Sequence, residues 1–199
     1  MTVESKRAAQ AAVTRSQLVA VGHRLFAERG FAGTSTEDLV KEAGVTRGAL
    51  YYHFRDKQDL FRAVFAAIEE GVNEHVTAVA MAQADEPWAG LVAGCSAYLD
   101  ASLDPATQRI ALMDAPSVLG WDAWREIGAE HRFGLLAAGL SWAMAAGEIE
   151  PQSVAPLVHV LLGALNEGAL FIARADDRME ARDEVVAAVE RLLAGLKTG

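Results

Sequence analysis

A guanidinium followed by two very small residues stands at positions 47 to 49, in the segment VTRGALYYHF. The Arg47 side chain can donate two hydrogen bonds to the O6 and N7 atoms of a guanine in the major groove of DNA. Gly48 and Ala49 keep the surface beside it low, so the backbone can approach the bases. These three residues therefore predict a contact that reads base sequence.

Polar groups suited to phosphate surround these three residues. Thr46 can cap a helix and offer its hydroxyl to a phosphate, and Lys57 adds a positive charge a few residues later. Tyr51 and His53 have polar tips that can reach phosphate, whereas Tyr52 is suited to van der Waals contact with bases or sugars. Three consecutive aromatic residues on a helix point over a wide arc, so packing in a small core cannot account for all of them.

Short helices must position these groups. Each glycine at 30 and 44 is expected to end a helix, and the capping-box spacing of Ser35 with Asp38 is expected to begin one. In the third of these helices, Leu50 and Phe54 are expected to face the core. The predicted helix starts are Thr14, Ser35, Thr46 and Asp56, and the fourth helix runs to roughly Met81. Three compact helices with short connections, followed by a long helix, indicate a helix-turn-helix domain at residues 14–60.

Charge is unevenly distributed along the 199 residues, whose net charge is −9. Residues 1–57 contain nine Lys/Arg against six Asp/Glu, whereas residues 58–199 contain nine against 21. A basic head on an acidic body predicts that only the head meets phosphate. The first ten residues lack the hydrophobic region of a signal peptide, which predicts a cytoplasmic protein.

The body, residues 61–199, is predicted to be helical throughout, which gives an all-α chain of nine or ten helices. Its longest apolar stretch, Val154 to Phe171, contains His159, Asn166 and Glu167 and is therefore interpreted as a buried helix rather than a membrane span. The single cysteine excludes an intrachain disulfide and a cysteine metal cluster. Neither a metal site nor a cofactor is expected.

The head resembles the DNA-binding domain of the TetR/AcrR family of bacterial transcriptional regulators over residues 18–61. The matching positions are Leu25-Phe26, Gly30-Phe31, Thr34-Ser35, Leu39-Val40, Ala43-Gly44-Val45-Thr46, Gly48, Leu50-Tyr51-Tyr52-His53-Phe54, Lys57 and Leu60-Phe61. By this resemblance Arg47, Gly48 and Tyr52 fall where the family reads bases. The family's backbone-contact positions are occupied by Thr36, Thr46, Ala49, Tyr51, His53 and Lys57. Glu37 departs from the pattern, since a carboxylate there repels phosphate, and it is not assigned to the interface.

The resemblance also implies a homodimer on a double-stranded operator and a small-molecule effector held in the body. The dimer face is expected on the last two helices, at Leu161, Ala164, Leu165, Gly168, Val189, Leu192 and Leu193. Aromatic, sulfur-containing and polar residues of the central helices are candidates for the effector pocket: Trp88, Cys95, Tyr98, Met113, Trp121, Trp124, Trp142, His159 and Asn166.

Two other functions compete with a ligand-responsive repressor. An enzyme is disfavoured because the sequence contains no G-x-S-x-G, H-E-x-x-H, P-loop or G-x-G-x-x-G motif. A DNA-binding regulator or architectural protein without an effector stays open, because it needs no pocket. A buried cavity in the body, or loss of operator binding on addition of a ligand, would distinguish the two.

Overall fold

The structure, a computed structural model, describes residues 3–83 and 85–197, and only the backbone of residues 3–6, 130 and 131. These residues form ten α-helices, which confirms the all-α class. In chain order they are α1 Val3–Arg29, α2 Thr36–Glu42, α3 Arg47–His53, α4 Lys57–Met81, α5 Pro87–Ala101, α6 Pro105–Thr107, α7 Ala115–Leu119, α8 Trp121–Ala145, α9 Val154–Arg174 and α10 Arg178–Ala194. A π-helical segment, Gln108–Asp114, lies between α6 and α7.

The local signals that end α1 and that begin and end α2 are confirmed. The Ser35 hydroxyl accepts a hydrogen bond from the Asp38 N–H, and the Asp38 carboxylate accepts one from the Ser35 N–H, so the capping box is complete. The Ser35 hydroxyl also donates to the Asp38 carboxylate at 2.7 Å, and this bond, together with the one from the Ser35 N–H, holds the pKa of Asp38 below its usual value. Gly30 and Gly44 end their helices with φ of 72° and 64°, a conformation that costs a residue with a Cβ atom about 1–2 kcal/mol.

The predicted start of the first helix at Thr14 is wrong. The helix begins at Val3, and the Thr14 hydroxyl donates to the Gln10 carbonyl one turn earlier, at 3.1 Å. Alanines are frequent before Thr14, and their high helix propensity extends the helix through a residue that could have capped it.

The chain divides into two compact units. The first contains residues 1–68 and 105–124, and the second contains residues 69–104 and 125–199. This division differs from the predicted ranges 14–60 and 61–199, because residues 105–124 belong with the head and α4 contributes to both units. Sequence patterns give helices one at a time and do not show which distant helix each one packs against.

The core of the first unit is built around aromatic rings. The Phe26 and Phe61 rings meet edge to face with centroids 5.1 Å apart, and the Phe31 ring lies 5.2 Å from Phe61. Leu39 of α2 and Leu50 of α3 are fully buried. The two short helices are therefore held by one large side chain each, together with their caps.

The core of the second unit lies between α5, α8, α9 and α10, with Leu99, Leu140, Ile172 and Leu193 all buried. Helix α9 is long and apolar enough to cross a bilayer by length and composition alone. Seven of its residues are nevertheless buried in the structure, among them Val158 and Leu165. Burial along one side is typical of a helix packed on a folded core, as predicted for this stretch.

We expect Gly30→Ala to lower the free energy of unfolding by about 1–2 kcal/mol, because residue 30 needs a positive φ. A Cβ atom there would also lie 2.3 Å from the Arg109 guanidinium. Gly71→Ala is the matched control: Gly71 lies within α4 with open space around it, so alanine should stabilise by about 0.5–1 kcal/mol. Urea denaturation measures both. Equal effects of the two substitutions would contradict the role given to Gly30.

Candidate DNA-contacting surface and cavity

Helix α3 is seven residues long and is set in place by its two ends. At its start the Thr46 hydroxyl accepts a hydrogen bond from the Ala49 N–H at 3.1 Å, as the predicted cap requires. At its end Phe54 is 3% exposed, and Leu50 within the helix is fully buried. The other side chains of α3 are consequently left facing away from the core.

Most of the predicted DNA-contacting residues are accessible. Tyr52 is 78% exposed and Tyr51 45% exposed, far more than core aromatic residues. Thr46, Arg47 and Gly48 are exposed as well, whereas four others are intermediate: Thr36, Ala49, His53 and Lys57. The surface of α3 thus presents phenol, guanidinium and backbone groups without any of them being needed to fill the core.

Arg47 is paired within the chain. Its Nη1 atom lies 3.0 Å from the Glu37 carboxylate of α2, and its guanidinium lies 5.8 Å from the centre of the Tyr51 ring. Contact with Tyr51 first, and the Glu37 charge second, raise the pKa of Arg47. Glu37, which was not assigned to the predicted interface, is therefore the residue that pairs with Arg47, the side chain predicted to read bases.

Lys57 holds together the connection between α1 and α2. Its ammonium donates to the Phe31 carbonyl at 2.8 Å and to the Thr34 carbonyl at 2.9 Å, and it lies 4.0 Å from the centre of the Phe31 ring. Partial burial lowers the pKa of Lys57. An ammonium has three N–H donors, so one remains for a phosphate.

Residues 105–124 brace the same unit. The Asp114 carboxylate accepts a hydrogen bond from the Phe31 N–H at 2.8 Å, and Gln58 donates through its side chain to the Val118 carbonyl at 2.8 Å. The Trp124 indole donates to the Ala111 carbonyl at 2.8 Å and is 2% exposed. No pattern in the sequence indicated these contacts, since the partners are separated by 13 to 83 positions.

The second unit contains a cavity of about 290 Å³. Its wall is formed by α4, α5, α8 and α9 and is mostly apolar, with Val76, Leu91, Leu136 and Leu165 among the lining residues. The polar side chains that reach it include Asn73, Cys95, Tyr98 and Arg132. A concave, largely apolar space with a few polar groups is the usual form of a small-molecule site.

Arg132 is the most constrained polar group at this cavity. It is 8% exposed, and its Nε atom donates to the Gly128 carbonyl at 2.9 Å and lies 3.3 Å from the Glu69 carboxylate. Its Nη1 atom donates to the Tyr98 hydroxyl and to the Asn166 side-chain oxygen, the latter at 2.8 Å. Gly128 is required beside it, since a Cβ atom there would lie 1.9 Å from the guanidinium.

Protonation at the cavity follows from these contacts. Burial by itself lowers the pKa of Arg132, but attraction to Tyr98 and Glu69 outweighs it and the pKa is raised, so the guanidinium stays charged. Burial raises the pKa of the Tyr98 phenol, which stays neutral. Burial also raises the pKa of Cys95 to about 12. The thiol is therefore a poor nucleophile at neutral pH.

Four of the nine predicted pocket residues are found at the cavity. Cys95, Tyr98 and Trp142 line it, and Asn166 bonds to two of its lining residues, Tyr98 and Arg132. The other five lie elsewhere: Trp88 is near Lys197, exposed His159 is beside Phe133, and Met113, Trp121 and Trp124 belong to the first unit.

Sequence reasoning missed Glu69, Asn73 and Arg132. A signal was present, because Arg132 lies one turn before Leu136 and two before Leu140, in a stripe of α8 that is otherwise apolar. A charged residue in such a stripe indicates a buried partner. The partner's identity could not be inferred, because Glu69 is 63 positions away.

The predicted dimerisation residues differ in their burial. Leu161, Leu165, Val189 and Leu193 are buried within this chain's own core, and Gly168 and Ala164 are partly buried. Gly168 packs against Val185, which would lie 2.7 Å from an added Cβ atom. Leu192, in contrast, is 59% exposed. Spacing alone did not separate the inner from the outer face of α9 and α10.

Comparison with known proteins identifies both parts of the chain. The family described as bacterial regulatory proteins, tetR family, matches residues 18–64, and the tetracyclin repressor-like C-terminal domain matches residues 88–196. The regulator AcrR of Shigella flexneri is 42% identical over 74 residues, which are 37% of this chain and 34% of AcrR. The chain thus matches about a third of that relative's length.

Other relatives match over nearly the whole chain. The TetC protein of transposon Tn10 from Escherichia coli is 23% identical over 92% of both chains. The crystal structure of a TetR-family transcriptional regulator from Pectobacterium atrosepticum is 35% identical, covers 96% of this chain and 97% of its own, and has a TM-score of 0.85. Together with the helix-turn-helix head, these matches show that the chain belongs to the TetR family of bacterial transcriptional regulators.

Proposed function

We propose that the protein is a cytoplasmic, homodimeric repressor that binds a palindromic DNA operator and is released from it by a small, largely apolar effector. The observation that carries this proposal is the course of α4. This helix follows α3 in the chain and belongs to the first unit up to Ile68, and from Val72 onward it supplies wall residues to the cavity of the second unit. One helix therefore contributes residues to both units.

On DNA, α3 enters the major groove with its N-terminal residues toward the bases. Arg47 donates to a guanine, Gly48 and Tyr52 lie against neighbouring bases, and Thr46 and Tyr51 contact phosphates. The remaining backbone contacts come from Thr36, Ala49, His53 and the free donor of Lys57. The exposure of Tyr52 and Arg47, and the burial of Leu50 behind them, support this orientation.

The dimer forms through the outer faces of α9 and α10. Val160 and Phe171 of α9 are 69% and 54% exposed, and Leu192 of α10 is 59% exposed, although each is a large apolar side chain. A twofold dimer built on these faces presents two copies of α3 to half-sites about one helical turn, roughly 34 Å, apart. The buried residues of the predicted set support these faces from within.

Release is a shift between two positions of α4. An effector in the cavity contacts α4 directly, and a change in that helix alters the separation of the two α3 helices in the dimer. A coupling free energy of about 1–3 kcal/mol would change operator affinity some 5- to 150-fold. Measuring operator affinity with and without a bound ligand tests this step; unchanged affinity would contradict it.

Relatives support repression and ligand binding without identifying either partner. A probable acrEF/envCD operon repressor of Escherichia coli is 37% identical over 73 residues. Two structures with the same fold hold ligands: RolR with resorcinol, at 20% identity, and the Bacillus subtilis FadR with stearoyl-CoA, at 18%. Identities this low show a shared fold and do not indicate which ligand this chain binds. The residues that line its own cavity are therefore the guide to its effector.

A regulator without an effector is the alternative function. It would need no cavity, and the 290 Å³ space in the second unit favours the ligand-responsive repressor. Selection of bound sequences from random DNA would define the operator. A transcription assay on that operator would then show whether the protein represses.

We expect Arg47→Ala to weaken binding to the operator by about 5- to 150-fold and to relax sequence preference at one position, because it removes the donors to guanine. Binding to random DNA should fall much less. Arg62→Ala is the control for charge, since Arg62 is exposed on α4. Equal losses on operator and random DNA for Arg47→Ala would contradict base reading by this residue.

Glu37→Gln tests the role of Arg47 by removing the carboxylate that pairs with it. Removing this carboxylate frees Arg47 and lowers repulsion of phosphate, so binding to operator and random DNA should both tighten. Fluorescence anisotropy at several salt concentrations measures it, with Glu70→Gln, exposed on α4, as control. Weaker binding to both DNAs would mean that Glu37 supports the interface instead of opposing it.

We expect Phe171→Glu to convert the dimer to a monomer, because it places a charge in the apolar face of α9. Met113→Glu is the control, since Met113 has a similar exposure of 56% but belongs to the first unit. Sedimentation equilibrium measures both variants. A Phe171→Glu protein that remained dimeric would show that the interface lies elsewhere.

A further inference from the structure

The guanidinium of Arg47 can bind two kinds of group on DNA. A guanine accepts two parallel hydrogen bonds from it, whereas a phosphate accepts hydrogen bonds from it at any sequence. The Arg47 side chain is 63% exposed, and an arginine has many rotamers to choose from when nothing restrains it. An unrestrained Arg47 would therefore bind phosphates of random DNA as well as a guanine of the operator, which would reduce discrimination between them.

Two side chains of the first unit restrain this guanidinium in the protein without DNA. The Glu37 carboxylate lies 3.0 Å from the Arg47 Nη1 atom. The Tyr51 ring, one helical turn after Arg47, has its centre 5.8 Å from the guanidinium carbon. The guanidinium therefore has a preferred orientation before it meets DNA.

Pairing with Glu37 leaves part of the guanidinium for a base. Arginine has five N–H donors, and the Glu37 carboxylate lies against Nη1. The Nε and Nη2 atoms form a second edge of the planar group, with two parallel donors that match the O6 and N7 atoms of guanine. Arg47 can therefore bind a guanine while its bond to Glu37 is kept.

The carboxylate is carried by a backbone that is fixed in place. Glu37 is the second residue of α2, between the Ser35 cap and the fully buried Leu39. On the other side of the pair, α3 is fixed by the Thr46 cap and by the buried Leu50. Both partners thus project from capped and anchored helix starts, so the contact between them sets the direction of the guanidinium relative to α3.

Resting on the proposed binding to operator DNA, we propose that Glu37 is a positioning residue for base reading, which directs Arg47 toward a guanine and away from phosphates. The carboxylate also repels phosphate, and this repulsion weakens binding to every DNA sequence. Glu37 therefore lowers affinity in general but raises the ratio of operator affinity to random-DNA affinity. A residue that opposes binding in this way improves specificity.

Glu37→Gln distinguishes positioning from simple repulsion. If the carboxylate acted only through repulsion of phosphate, its removal would tighten operator and random DNA by the same factor. If it positions Arg47, random DNA gains more, and the affinity ratio should fall by about two- to fivefold, the scale of an exposed ion pair. Fluorescence anisotropy of the full-length protein on both DNAs measures the ratio. An unchanged or increased ratio would overturn the inference.

Glu42→Gln is the matched control. Glu42 is also on α2 and also pairs with an exposed arginine, but that partner is Arg24 of α1, at 2.7 Å. The control removes the same charge from the same helix without touching Arg47, so the affinity ratio should stay at its wild-type value. Equal falls of the ratio in Glu42→Gln and Glu37→Gln would overturn the role given to Glu37.

A double-mutant cycle connects the effect to Arg47. In the Arg47→Ala background, Glu37→Gln should change operator and random-DNA affinities by equal factors, because the side chain that Glu37 positions is absent. A fall of the affinity ratio that persisted in this background would show that Glu37 acts without Arg47, and would overturn the inference.

Single base-pair changes in the selected operator separate this inference from the proposed function. The base pair read by Arg47 is the one at which Arg47→Ala relaxes preference. Glu37→Gln should lower discrimination at that pair and leave the other pairs unaffected. Unchanged discrimination at that pair would contradict the positioning role and leave sequence-specific DNA binding standing. Selection of no preferred sequence by the wild-type protein would overturn both.

Discussion

The buried guanidinium of Arg132 is the interaction on which the second unit depends. Its partners come from three other helices: Glu69 from α4, Tyr98 from α5 and Asn166 from α9. A charge removed from water is stable only when its counter-ion and hydrogen-bond partners are all in position. A polar network beside the cavity therefore joins these four helices.

The polar network offsets the loss of packing contacts that the cavity causes. An apolar cavity lowers packing contacts among the helices that surround it, and close-packed cores resist such gaps. Directional bonds among Arg132, Glu69, Tyr98 and Asn166 maintain the spacing of the helices without filling it. The same bonds pair the charge of Arg132 with that of Glu69 within the chain.

The DNA-contacting unit depends on a different constraint, the shortness of its helices. Helices of seven residues have little stability alone, because the cost of starting a helix is spread over few hydrogen bonds. Caps at Ser35 and Thr46, glycines with positive φ, and the Lys57 ammonium on two backbone carbonyls offset this cost. Since these devices use small groups and backbone atoms, the surface of α3 remains available for DNA.

Local chemistry in the sequence determined the helix limits near Ser35, Thr46 and Asp56, the burial of Leu50 and Phe54, and the exposed character of Tyr52. Each of these features depends on residues within one or two helical turns, so neighbouring positions in the sequence are enough to predict it. The predicted helix start at Thr14 was wrong for an equally local reason. Thr14 could have capped a helix, but the helix propensity of the alanines before it was the stronger effect.

Tertiary structure alone decided which residues meet across long separations. It placed residues 105–124 with the head, and it joined Glu69 to Arg132. It also separated Leu193, buried, from Leu192, exposed, although both are apolar neighbours on α10. A sequence shows that a helix has an apolar side, but packing between distant helices determines what covers that side. The sequence by itself therefore determined the limits of the short helices and the exposed residues of α3, and the packing of four helices decided where the cavity lies and which residues line it.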